Sequence, residues 1–103
     1  MFNVKKIKSS EFLRMIEGKA EFQILSIAQR SYYIPENIIA TKVTISEVEE
    51  NFNLVRKDVP VIVVCDHGES SFFLATIIQI QDKNINVFSL EGGLKKLREI
   101  MDK

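Results

Sequence analysis

The 103-residue chain has one cysteine, Cys65, and its fourteen basic side chains are matched by fourteen acidic ones. A single cysteine excludes an internal disulfide. A formal net charge of zero leaves no global field to recruit nucleic acid, an anionic membrane or an acidic partner, so any electrostatic attraction must be local. Long apolar runs are missing too. Val61 to Cys65 and Phe72 to Ile80 are the longest, far short of the roughly 20 residues that span a bilayer. The opening Met1-Phe2-Asn3-Val4-Lys5-Lys6 is too polar for a signal peptide or transit sequence. No repeat or low-complexity segment interrupts the chain. These absences predict a soluble, cytoplasmic protein whose partners include neither nucleic acid nor membrane. With 46% hydrophobic and 27% charged residues, residues 1–103 are expected to form a single domain.

What is present reads as strands alternating with helices. A short strand is expected around Asn3 to Ile7, then a helix from about Ser10 to Glu17, capped by a serine and carrying Phe12, Leu13 and Ile16 on one face. Gly18 is placed to end that helix in the left-handed conformation. Phe22 to Ile27 reads as a strand. Gln29 to Asn37, with Tyr32, Tyr33 and Pro35, reads as a helical turn and a loop. Lys42 to Ile45 reads as a short strand, and Ser46-Glu47-Val48-Glu49 has the spacing of a capping box for a helix to about Phe52.

Val61 to Val64 shows no polar alternation, the mark of a strand covered on both faces and central in a parallel sheet. Ser70 to Gln81 carries apolar residues nearly all round and predicts a heavily buried helix. Asn86 to Leu90 reads as the last strand, Gly92-Gly93 as a tight turn, and Leu94, Leu97, Ile100 and Met101 as the inward face of the last helix. Parallel neighbours need crossovers and helices supply them, so the fold class is α/β with a mostly parallel sheet. Ligands in such folds bind beyond the carboxyl ends of the strands.

Cys65 falls there, ahead of Asp66-His67-Gly68-Glu69-Ser70-Ser71. A loop between a strand end and a helix start can curl its N–H groups around the sulfur, backed by the helix amino terminus. Such a nest stabilises a thiolate, the nucleophilic form, and would hold a persulfide or sulfenate in the same way. Gly68 supplies a residue free to take positive φ, and His67 offers a positive charge or an acid and base. The position equally suits a small buried apolar residue, and His67 a solvated loop side chain. One cysteine and one histidine are too few for a closed zinc site.

The order of segments resembles the rhodanese-like family: the Phe22-Gln23-Ile24-Leu25-Ser26-Ile27 strand, a tyrosine before a turn, Pro60-Val61-Ile62-Val63-Val64-Cys65, a short loop, a buried helix, and Asn86-Val87-Phe88-Ser89-Leu90-Glu91-Gly92-Gly93-Leu94. The resemblance implies a three-layer α/β/α domain with a mostly parallel five-stranded sheet. It also implies a sulfurtransferase in which Cys65 takes a sulfane sulfur and holds it as a persulfide. The backbone amides of Asp66 to Ser70 would cradle that sulfur, with the hydroxyls of Ser70 and Ser71 as auxiliary donors. No metal or organic cofactor is implied. The partners implied are a small sulfur donor or a persulfidated protein, and a thiophilic acceptor.

The chain departs from the family pattern at several places. Ser26 and Ala28 stand where an aspartate and an arginine are usual, Glu36-Asn37-Ile38 replaces Gly-His-Ile, and Ser70 replaces the usual arginine of the loop. Asp66 and Glu69 put two carboxylates where a dianion should dock, and like charge disfavours both a thiolate and its anionic donor. The expectation is therefore a sulfurtransferase with a donor other than free thiosulfate, set against a catalytically inactive binding or regulatory module. A cysteine phosphatase or arsenate reductase loop would need an arginine at position 71, which is serine.

Overall fold

Val61, Ile62, Val63 and Val64 offer no polar face, and a strand of that kind is stable only between two apolar layers. The computed structural model, which describes residues 4–18, 20–30 and 38–102, gives them both. In chain order the elements are β1 (Lys5–Ile7), α1 (Ser9–Glu17), β2 (Gln23–Ser26), β3 (Thr41–Lys42), α2 (Ile45–Glu50), a 3-10 turn at Phe52–Leu54, β4 (Val61–Val64), α3 (Glu69–Gln81), β5 (Val87–Leu90) and α4 (Gly93–Met101). The strands form one five-stranded sheet in the order β1-β5-β4-β2-β3, and every pairing is parallel. β4 lies at its centre, in register with Gln23 to Ser26 on one side and with Val87 to Ser89 on the other.

Because side chains alternate along a strand, β4 feeds two separate cores. Val61 and Val63 pack with Leu25, Val48, Leu74, Ala75 and Ile78, which places α2 and α3 on one face. Ile62 and Val64 pack with Ile7, Phe12, Leu90, Leu94 and Leu97, which places α1 and α4 on the other. The result is the three-layer α/β/α arrangement.

Several local expectations are corrected. Gly18 takes φ −76° and ψ 176°, extended backbone rather than left-handed. α1 begins at Ser9, after Lys8. Glu11 reaches back to accept the Lys8 N–H at 3.3 Å, so a carboxylate three residues on satisfies the cap residue's own amide, a different donor from the one a capping serine would hold. At α2 the cap is Thr44, not Ser46. Thr44 Oγ1 accepts the Glu47 N–H at 3.0 Å and the Glu47 carboxylate accepts the Thr44 N–H at 3.2 Å. That reciprocal pair starts the helix at Ile45 and cuts β3 back to Lys42.

α3 is not buried all round. Ser71, Leu74, Ala75 and Ile78 form its buried stripe, whereas Phe73 and Ile80 are 58% and 57% exposed. Among the described residues the helix lies against one sheet face and no second layer covers it. On α4, Ile100 and Met101 are likewise exposed, while Leu94 and Leu97 are buried. Asn3, Tyr32, Tyr33, Pro35, Glu36 and Asn37 lie outside the described residues.

Candidate functional site

Cys65 is the first residue after β4 and is buried. Its Sγ accepts two backbone hydrogen bonds, from Gly68 N at 3.0 Å and from Ser71 N at 3.2 Å. Gly68 adopts φ 101°, and a Cβ there would lie 3.0 Å from Gly92 N, so the bend that aims these amides needs glycine at this position. Ser71 is the third residue of α3. Its N–H is therefore one of the amides a helix start leaves without an intrahelical partner, at the positive end of the helix dipole. Gly68 belongs to the cradle expected from the sequence, while the Ser71 amide lies one residue beyond the expected range.

The loop is held from the opposite face of the sheet by α4. Leu94 N donates to the Cys65 carbonyl at 2.8 Å, and Lys95 N to the Asp66 carbonyl at 3.0 Å. These first-turn amides come close enough because Gly92 and Gly93 turn through φ 79° and 69°. A Cβ on Gly93 would collide with the Asp66 carbonyl oxygen and lie 2.6 Å from His67 N. The Leu90-Glu91-Gly92-Gly93 segment thus closes the back of the sulfur loop.

Beneath the loop is a pair of buried hydroxyls. Ser71 Oγ donates to the Gly68 carbonyl at 3.2 Å and lies 2.8 Å from Ser89 Oγ. With the single hydroxyl hydrogen of Ser71 on Gly68, the proton between the serines must come from Ser89. In this structure the Ser71 hydroxyl bonds within the scaffold. Ser89 was not singled out in the sequence. Its only signal there is one polar residue in the apolar strand Val87–Leu90.

In front of the sulfur is a cleft of about 290 Å³ lined by Cys65, Asp66, His67, Glu69 and Ser70, with Ile27 and Gln29 on the far wall. Asp66 is half-buried, and His67, Glu69 and Ser70 are exposed. Asp66 Oδ1 is buried and has no hydrogen-bond partner among the described residues. At the end of β2, Ser26 and Ala28 are both buried, and Ser26 Oγ accepts the Ala28 N–H at 3.3 Å. Two small buried residues therefore stand on either side of Ile27, which lines the cleft. Among the described residues no group of three His, Cys, Asp or Glu side chains is placed to hold a metal ion, and no helix is long and apolar enough to cross a membrane.

A sulfur held by two N–H donors at an open cleft can act as a nucleophile toward a small electrophile and can hold the product by the same donors. Comparisons with known proteins agree with this architecture. A rhodanese-related protein from Thermoplasma volcanium superposes with a TM-score of 0.72 at 19% identity, covering 93% of this chain and 92% of that one. A yeast protein tyrosine phosphatase of the Rhodanese family gives 0.70 at 13% identity, covering 97% and 88%. An NAD-dependent persulfide reductase from A. fulgidus gives 0.66 at 26% identity, covering 89% of this chain but only 15% of the reductase. No curated protein sequence matches. Residues 10–99 match the model of the Rhodanese-like domain, a span that holds the cysteine loop, the glycine pair that closes it and the helices of both layers, and the chain belongs to that family.

Proposed function

We propose that the protein is a sulfurtransferase that carries a sulfane sulfur as a persulfide on Cys65, with a donor other than free thiosulfate. One observation carries the reading: Gly68 N and Ser71 N both point at Cys65 Sγ at the wall of an open cleft. The Cys65 thiolate attacks the outer sulfur of a donor R–S–SH. The donor S–S bond breaks, RS⁻ leaves, and Cys65–S–SH forms. A thiophilic acceptor then attacks the outer sulfur and returns the Cys65 thiolate. Asp66 and Glu69 line the same cleft, and their charge works against thiosulfate, a dianion, more than against a persulfide, whose reacting end carries at most one negative charge. The donor is a small persulfide or a persulfidated partner protein.

The test is mass spectrometry of the intact protein after exposure to persulfide donors and to thiosulfate. The expected result is a gain of one sulfur atom from persulfides, lost in Cys65→Ser, with thiosulfate the poorer donor. A phosphatase activity is not expected, because position 71 supplies a serine rather than an arginine to an oxyanion, and p-nitrophenyl phosphate should remain intact. The two cleft carboxylates favour a second reading, an inactive binding module. No sulfur gain from any donor, together with iodoacetamide alkylation no faster than that of a free thiol, would establish it.

A further inference from the structure

The cleft at Cys65 does not end at its far wall. Ile27, Gln29 and Ser70 also line a second hollow of about 490 Å³, which runs over Val43 and Ile45 to Lys42. The shared residues make the two a single trough along the carboxyl edge of the sheet, where α/β folds place ligands. Charge divides along it. Asp66 and Glu69 stand at the sulfur end. Among the described residues no carboxylate lines the second hollow, and the one charged residue that does is Lys42. Lys42 is exposed and makes no ion pair with a described residue. Between the two ends the described walls mix aliphatic Ile27, Ala28, Val43 and Ile45 with the uncharged polar Gln29, Thr44, Ser46 and Ser70.

A thiosulfate-sized ion would occupy only the first cleft and meet its carboxylates. A longer molecule fits the charge pattern if its reacting end carries less charge than thiosulfate and its far end is negative.

We infer that the second hollow is a tail subsite, selecting organic persulfides R–S–SH whose body lies along Ile27 and Ile45 and whose net-anionic end faces Lys42. The inference rests on the sulfurtransferase reading and adds the substrate class. The step is the transfer written above: the donor S–S bond breaks, RS⁻ departs along the trough and takes a proton from solvent.

Two probes that differ in tail charge test it: glutathione persulfide, with a net negative tail, and cysteamine persulfide, with an ammonium tail. The readout is the rate of one-sulfur gain at Cys65. Glutathione persulfide should load faster. Lys42→Glu should slow it by about two- to fivefold, the range expected of one exposed ion pair, and should speed cysteamine persulfide. Both effects should fade in 1 M salt, where screening acts within ~3 Å. Equal rates for the two donors, or rates unmoved by Lys42→Glu, would overturn the subsite while leaving the transfer reaction standing.

A second measurement needs no sulfur chemistry. Titration of glutathione itself should move the amide NMR signals of Ile27, Lys42, Val43 and Ile45, and Lys42→Glu should abolish the shifts. If no donor loads Cys65 yet these shifts appear, the transfer reading fails and the anion-tail subsite stands. If the shifts do not appear, the subsite fails.

Discussion

Ser89 is 1% exposed in a strand whose neighbours are apolar, and its hydroxyl donates to Ser71 Oγ, which donates in turn to the Gly68 carbonyl. The same two residues, Gly68 and Ser71, give their amides to Cys65 Sγ. One buried hydroxyl therefore supports both donors without touching the sulfur. Ser89→Ala should lower stability by about 1–3 kcal/mol, the range for a buried partner left unmatched, measured by urea denaturation. It should also slow alkylation of Cys65 by iodoacetamide under conditions where the protein remains folded. Ser89→Thr keeps the hydroxyl and should restore the alkylation rate even where the added methyl costs stability. A Ser89→Ala protein alkylated at the wild-type rate would reduce Ser89 to a space-filling residue. The place of Cys65 at a strand end is legible because an apolar run of four β-formers stops there before a glycine-containing polar loop. Ser89 is not, because a serine inside a strand looks the same whether it meets a hydroxyl or packs as a small side chain.

Helix starts show how a local pattern can be right in kind and displaced in position. Ser46-Glu47-Val48-Glu49 has capping-box spacing, yet Thr44 and Glu47 form the box. Both readings obey the rule of a hydroxyl followed three residues later by an acid, and the backbone decides between them: β3 ends at Lys42, which leaves Thr44 in the extended conformation that an N-cap requires. Thr44→Ala should cost about 1 kcal/mol, whereas Ser46→Ala, on the exposed first turn, should stay within about 0.5 kcal/mol. Urea midpoints of the two variants check the assignment, and equal losses would contradict it. Strand β4 was legible to the residue, because four apolar β-formers between a proline and a polar loop leave little choice of bounds. The all-round burial expected of α3 is not met. An apolar sequence fixes what a helix would gain by being covered, but not whether the chain has another layer to cover it. Here Leu74, Ala75 and Ile78 face the sheet, whereas Phe72 is partly exposed, with the Lys6 ammonium 5.1 Å from its ring centre.

At the scale of the molecule the sheet joins two cores that do not touch each other. Ile62 belongs to the core under α1 and α4, and its neighbours Val61 and Val63 to the core under α2 and α3. The cysteine loop bridges them: its sulfur takes a hydrogen bond from Ser71 of α3, and its first carbonyl takes one from Leu94 of α4. A lesion confined to one core should therefore be felt in the other, because both depend on β4 and its pairing with β2 and β5. Ile62→Ala removes apolar contacts from the α1/α4 side only, and a fully buried aliphatic truncation of this kind costs about 2–5 kcal/mol. In a cooperative, two-state domain the slowest-exchanging amides of α3 should lose as much protection as those of α4, although α3 packs against neither Ile62 nor its cluster. Native-state hydrogen exchange measures both sets in one experiment. If α3 kept its wild-type protection while α4 lost it, the two layers would unfold separately, and the loop that holds Cys65 would be anchored by α3 alone during such openings.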